Sequence, residues 1–235
     1  MSCLVAIEGA DGAGKATTAE NVCKIFLERG FKATVVSFPR YRETVGGFAL
    51  GEFLSGRMRV PVTPRAAAVL YALDRLESRS VIEEQVRSND VLIIDRYIGS
   101  NMAYQGAKVA PEETAEMMTW IVDLETKTFG LPYPHLNIYL DTPLETAMRL
   151  VARKHKRSYT GLAFDIHESD LALQRRVREN YLLLSGSNLL SAWAVVATMR
   201  GDILRQPLDI AAEVATLILH YILHQVRGQV ESDSA

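Results

Sequence analysis

Cys3-Leu4-Val5-Ala6-Ile7-Glu8-Gly9-Ala10-Asp11-Gly12-Ala13-Gly14-Lys15-Ala16-Thr17 joins a short apolar run to a glycine-rich loop and then to a stretch of helical period. The apolar run, rich in branched side chains, predicts a buried strand. After it, Gly9, Gly12 and Gly14 let the backbone turn tightly and aim its N–H groups inward. The helix N-terminus adds partial positive charge and Lys15 a full one. A polyphosphate fits such a cradle. The competing reading, a glycine-rich turn and nothing more, has against it the strand-loop-helix context that a phosphate loop requires. One position departs from the pattern: the residue after the lysine is ordinarily Ser or Thr, whose hydroxyl reaches Mg2+, and here it is Ala16. Thr17 lies about 100° further round the helix and need not replace that ligand. Magnesium would then lean on phosphate oxygens, water and an acid from elsewhere, for which Asp95 is the candidate.

Further apolar runs with branched residues recur at 33–38, 91–95, 136–140 and 194–198, and helical periods cover 15–29, 64–87, 111–128, 143–155 and 165–184. Strand and helix therefore alternate, which predicts an α/β fold with a five-stranded parallel sheet, helices on both faces and right-handed crossovers. Ligands bind such sheets beyond the carboxyl ends of their strands. Near the C-terminus, residues 210–223 are apolar but carry Glu213 and His220. A membrane helix needs about 20 mostly apolar residues, so a helix closing the core is expected and no membrane span. His220 and His224 lie one turn apart, but neither the glutamate of a helical zinc motif nor a third ligand accompanies them. Residues 1–228 are expected to form one domain, with 229–235 a flexible tail.

The chain has 235 residues, a formal net charge of −2, 48% hydrophobic and 23% charged residues. These proportions exclude disorder, collagen-like repeats and a disulfide scaffold, and the near-neutral charge argues against nucleic-acid binding by bulk electrostatics. Cys3 and Cys23 lack zinc-binding spacing, and no basic, apolar leader precedes them, which suggests a reduced, cytoplasmic protein.

The run at 91–95 ends in Asp95-Arg96-Tyr97, so a buried strand delivers an acid and a base to the binding edge of the sheet. Asn101, Tyr104 and Gln105 follow at helical spacing, Phe38-Pro39-Arg40-Tyr41 ends the second strand, and Tyr71 and Arg75 share a helix face. Together with the loop Glu8-Gly9-x-Asp11-Gly12-x-Gly14-Lys15-x-Thr17, Ser100, and Asp141 after the fourth strand, these motifs resemble the thymidylate kinase family from Cys3 to about Leu184. The resemblance implies a P-loop kinase three-layer sandwich with a mobile lid, ATP as phosphoryl donor with Mg2+, and dTMP as acceptor. It also implies a homodimer, with the helical spans 64–87 and 111–128, including Met117, Met118, Trp120 and Ile121, as candidate interface or core.

By that resemblance Gly9, Ala10, Asp11, Gly12, Ala13, Gly14, Lys15, Ala16 and Thr17 bind ATP. Tyr71 stacks on thymine, Arg75 and Asn101 recognise the base edge, and Tyr104 crowds the sugar against a 2′-hydroxyl. Asp11 holds the 3′-hydroxyl, and Arg96, helped by Arg40 and Tyr41, grips the acceptor phosphate, with Phe38, Pro39 and Gln105 lining the same pocket. Asp95, Asp11 and Glu168 are the metal candidates. Residues 153–164, with Arg153-Lys154-His155-Lys156-Arg157, correspond to the lid. Because the loop's variable positions Ala10, Gly12 and Ala13 are not basic, Arg153 and Arg157 join Lys15, Asp95 and Arg96 as the catalytic set. Plainer readings stay open: Tyr71 as core, Arg75 as a surface ion pair with Asp74 or Glu77, Asn101 and Tyr104 as capping and packing residues. The basic run also reads as a solvated face, and Glu168 as a helix-start acid. A kinase for another nucleoside monophosphate or deoxynucleoside, and a nucleotide-binding protein without turnover, are the alternative functions.

Overall fold

The computed structural model describes residues 2–157 and 170–232, and the side chains of 2–152 and 170–225. Strands β1 (Cys3–Glu8), β2 (Ala33–Ser37), β3 (Val91–Asp95), β4 (Leu136–Asp141) and β5 (Ala192–Ala197) form a five-stranded sheet in the order β2-β3-β1-β4-β5. Every pairing in it is parallel. A short antiparallel ribbon, β6 (Met199–Arg200) and β7 (Ile203–Leu204), follows β5. The helices are α1 (Lys15–Glu28), α2 (Val45–Leu54), α3 (Pro64–Glu77), α4 (Arg79–Ser88), α5 (Ile98–Gly106), α6 (Thr114–Val122), α7 (Leu144–Arg157), α8 (Leu171–Ser185) and α9 (Pro207–Ser232).

Side chains alternate across a strand, and β1 feeds both faces of the sheet. Leu4 and Ala6 join a core with Met102 of α5, Ile121 of α6 and Val177 of α8. Val5 and Ile7 point the other way, toward Ala19, Val22 and Phe26 of α1 and Ile210, Val214 and Ile218 of α9. The apolar segment near the C-terminus is thus the helix that closes the second layer, and among the described residues no helix is long and apolar enough to cross a membrane. The three-layer α/β sandwich expected from the alternating pattern is the observed fold.

Several boundaries differ. The period over 64–87 hides a break: Ser78 separates α3 from α4, its hydroxyl donating to the Asp74 carbonyl at 2.8 Å. The span 111–128 is a 3-10 turn (Pro111–Glu113), then α6, then a π-helical turn (Asp123–Thr128). Met117, Met118 and Ile121 are buried within the chain's own core, and Trp120 lies half-buried beneath Arg65. Helix α2 has no counterpart in the sequence expectation, because Gly46, Gly47 and Gly51 give it poor intrinsic propensity. It is held by a Thr44 cap and by Leu50, Phe53 and Leu54 packing on Ala67 of α3. The predicted helix 165–184 corresponds to α8, capped at Asp170, whose carboxylate accepts the Leu173 N–H at 3.0 Å. Residues 158–169, with the rest of the predicted lid and Glu168, lie outside the described residues. So do the side chains of Arg153 and Arg157, although their backbone belongs to α7. The backbone of α9 continues through Gly228 to Ser232, where a frayed tail was expected.

The parallel register sets the functional end. Asp95 pairs in register with Ile7 of β1 and with Ser37 of β2, so the residues following β1, β2 and β3 emerge side by side. Strands β3 and β4 flank β1 on opposite sides, and the crevice opens at its carboxyl end.

Candidate active site

The loop 9–14 leaves β1 and winds into α1, whose N-cap Gly14 adopts φ 85, a left-handed conformation that suits a residue without Cβ. At Gly12 a Cβ would collide with the Ala147 carbonyl of α7, so glycine is what lets the loop lie against that helix. Lys15 is buried, and its Nζ donates to the Ala10 carbonyl at 2.7 Å, reaching back across the loop. Burial, reinforced by nearby Arg96, lowers its pKa to about 8 despite the opposing pull of Asp11 and Asp95.

Beside the loop, Asp95 closes β3 and Arg96 follows at φ 65, an uncommon conformation for a residue with a side chain. Two contacts hold it: the Arg96 N–H donates to the Ile7 carbonyl at 3.1 Å, and its guanidinium is ion-paired with Asp11. The same Asp11 carboxylate accepts the Tyr104 hydroxyl at 2.6 Å and the Gln174 amide at 2.9 Å. Burial pushes the Asp11 pKa up, but Arg96, Lys15 and these donors outweigh it and hold it at about 2. With both oxygens so engaged, Asp11 fits the acceptor side of the site better than a metal.

Asp95 differs. It is 9% exposed, and its Oδ1 is buried without a hydrogen-bond partner. An orphaned carboxylate oxygen next to a phosphate cradle fits Mg2+. Among the described residues no group of three or more metal-ligating side chains exists, so phosphate oxygens and water would complete the coordination. Ala16 and Thr17 are exposed, while the next hydroxyl along, Thr18, is buried.

Beneath the site Glu8 is fully buried, and burial raises its pKa. Its carboxylate accepts the Tyr97 N–H at 3.0 Å, the Ser100 hydroxyl at 2.5 Å and the Tyr181 hydroxyl at 3.2 Å, tying the start of α5 and the middle of α8 to the end of β1. A cleft of about 640 Å³ runs from the loop past Asp95 and Arg96 to Thr142, Thr198, Leu204, Arg205 and Pro207.

A family model described as thymidylate kinase matches residues 7–198. The chain belongs to the thymidylate kinase family. It is 34% identical over 194 residues to the thymidylate kinase of Mycobacterium tuberculosis, covering 82% of this chain and 90% of that one. It is 32% identical over 193 residues to a probable thymidylate kinase of Thermococcus gammatolerans, covering 79% and 84%. In fold it is similar to a thymidylate kinase structure from Candida albicans, with a TM-score of 0.65, 20% identity and coverage of 95% and 92%.

Of the residues that the thymidylate kinase resemblance singles out, the structure gathers Asp11, Lys15, Asp95, Arg96 and Tyr104 at one edge. Arg75 is no surface ion pair with its neighbours on α3: it is buried, its guanidinium bidentate on Glu125 at 2.6 Å for both bonds. Asn101 is buried beside it, and Tyr71, one turn before Arg75, is half-buried. Phe38 is buried, with the Arg75 Cζ 6.0 Å from its ring centroid, and Pro39 is partly buried. Arg40 is engaged with Glu43 and, at 3.0 Å, with Ser78, while Tyr41 is exposed. Gln105 is buried with Lys108 donating to its carbonyl at 3.1 Å. Asp141 receives Arg178 in a bidentate pair at 2.8 and 3.0 Å.

Sequence reasoning missed Glu125, Gln174, Tyr181 and the cleft wall at Thr198 and Arg205. Glu125, Gln174, Tyr181 and Thr198 lie far along the chain from the motif residues they bond, Arg205 enters only as cleft wall, and none falls in a recognisable local pattern.

Proposed function

We propose that this chain, as a thymidylate kinase, transfers the γ-phosphoryl group of ATP to dTMP, giving dTDP for dTTP synthesis. One observation carries the reading: Asp11 joins the phosphate loop to Arg96 and Tyr104, so the donor cradle and the acceptor pocket are one connected structure. The attacking nucleophile is already a phosphate oxygen, so no general base is needed and the work is alignment and charge neutralisation. Lys15 and the loop N–H groups hold the donor phosphates. Arg96 grips the acceptor phosphate, Asp11 the sugar hydroxyl, and Tyr104 crowds the ribose 2′ position. Asp95 would hold Mg2+ together with phosphate oxygens, and the ion when bound neutralises charge on the β- and γ-phosphates. Arg153 and Arg157 supply further positive charge from the lid. The far wall of the cleft, with Thr198, Leu204 and Arg205, offers the place for the donor base.

The two unpaired cysteines fit a cytoplasmic protein, and we place the homodimer contact on the outer flank of α3 and α6, where Arg65 bonds Glu116. ATP consumption by purified protein across a panel of nucleoside monophosphates tests the reading. Turnover should be fastest with dTMP and should require Mg2+. Faster turnover of CMP or another acceptor would reassign the substrate, and ATP binding without transfer would remove the activity.

A further inference from the structure

We propose that Glu125 is a positioning residue for pyrimidine selection, fixing which atoms of Asn101 and Arg75 are offered to the acceptor base; this rests on the dTMP kinase reading above. Glu125 lies in the π-helical turn Asp123–Thr128 that continues α6, and it is fully buried. Its Oε2 accepts from the Arg75 Nε at 2.6 Å. Its Oε1 accepts from the Arg75 Nη2 at 2.6 Å and from the Asn101 Nδ2 at 2.8 Å. The Asn101 Nδ2 also donates to the Ala68 carbonyl at 3.0 Å. Both N–H groups of that amide are therefore spent, while its Oδ1 is buried with no partner.

This orientation is enforced. Turning the amide over would set its oxygen against a carboxylate and a carbonyl, three acceptors with no proton between them, at a buried position. Arg75 likewise commits its Nε proton and one Nη2 proton to Glu125, which leaves the Nη1 protons and the second Nη2 proton as donors not taken by that carboxylate. Asn101 stands one turn before Tyr104 on α5, and Arg75 one turn after Tyr71 on α3, so the pair belongs to the acceptor side. An unpaired acceptor beside an available donor complements a ring carrying an N–H next to a carbonyl, as in thymine or uracil. It opposes cytosine, whose ring nitrogen accepts and whose amino group donates. The π-helical turn is what brings a carboxylate from beyond α6 under both side chains, and such turns recur at functional sites.

The test compares kcat/KM for dTMP and for dCMP, and KM for ATP, in the wild-type enzyme, Glu125→Gln and Glu125→Asp. In Glu125→Gln one oxygen becomes a donor, Asn101 is released to turn, and the dTMP to dCMP ratio should fall about 10- to 100-fold with KM for ATP unchanged. Glu125→Asp keeps a negative charge opposite buried Arg75, so it stays folded if the Gln variant does not. It withdraws the carboxylate by one methylene, and the ratio should fall in the same direction by a smaller factor. Folded variants that lose activity on both nucleotides by the same factor, with the ratio intact, would overturn the proposal and leave Glu125 a structural ion-pair partner. A wild-type enzyme with no turnover of dTMP would overturn the kinase reading itself, and that outcome is seen without any substitution.

Discussion

Arg96 at the end of β3 is ion-paired with Asp11 in the phosphate loop, across an interval of 85 residues in sequence. Burial alone would lower the Arg96 pKa, but Asp11 more than offsets it and raises it well above the ordinary value, so the guanidinium stays charged throughout the working pH range. The pairing fixes a positive group beside the phosphate loop, on the wall of the cleft, and the left-handed backbone at Arg96 is retained there at a cost of about 1–3 kcal/mol. Arg96→Ala should reduce kcat/KM for dTMP by about a thousandfold with the fold intact by circular dichroism. Arg96→Lys should recover little, because a point charge does not reproduce the planar fork. Near wild-type turnover in Arg96→Ala would remove this residue from the mechanism.

The two roles proposed for Tyr104 are separable. Its hydroxyl donates to Asp11 and its ring lies 5.4 Å from the Arg96 Cζ. Tyr104→Phe deletes only the hydroxyl and should lower kcat/KM for dTMP about tenfold, with rejection of the ribonucleotide kept. Tyr104→Ala opens space beside the sugar, and the preference for deoxyribose over ribose should shrink. Steady-state kinetics with matched deoxy and ribo acceptors reads both, and equal preferences in the two variants would contradict the division.

Lys15 predicts a pH dependence. Its pKa in the free enzyme is lowered to about 8, so the proportion of charged lysine falls as pH rises through that value. Bound polyphosphate favours the charged form and raises the pKa again. The alkaline limb should therefore appear near pH 8 in kcat/KM for ATP and at higher pH in kcat. A kcat/KM profile for ATP that stays flat to pH 9.5, about 1.5 units above the shifted value, would contradict it.

Asp95 and Ala16 make a paired prediction about magnesium. Asp95→Asn removes the charge of the carboxylate whose Oδ1 stands unpartnered, the proposed Mg2+ ligand, and the Mg2+ concentration for half-maximal rate should rise about tenfold or more. Ala16→Ser, at an exposed position after the loop lysine, should lower that concentration by supplying a hydroxyl. Titrations of rate against free Mg2+ that superimpose for wild type and Asp95→Asn would exclude Asp95 as a ligand.

The sheet, its strands and the phosphate loop were legible because buried parallel strands read as short apolar runs and because the loop's chemistry is local. The split at Ser78 was hidden, since α3 and α4 together keep one continuous helical period. Arg75 was placed on the acceptor side, but its counter-ion was not: Glu125 is 50 residues away and meets it only through the packing of α3 against the π-helical turn. Glu8 was quoted within the loop motif without a role, and only the fold brings Ser100 and Tyr181 to its carboxylate. Periodicity reports which face of an element is buried; it carries no information on which buried polar groups meet.

The central claim is that one crevice at the end of β1 holds two nucleotides with their phosphates facing across Lys15 and Arg96. Binding of a single molecule in which adenosine and thymidine are joined 5′ to 5′ through five phosphates, measured by titration calorimetry against ATP and dTMP separately, tests it most directly. Linking the two halves should give a dissociation constant at least about a hundredfold below that of either nucleotide, at a stoichiometry of one per chain. Affinity no better than that of ATP alone, with dTMP still able to bind alongside, would contradict it.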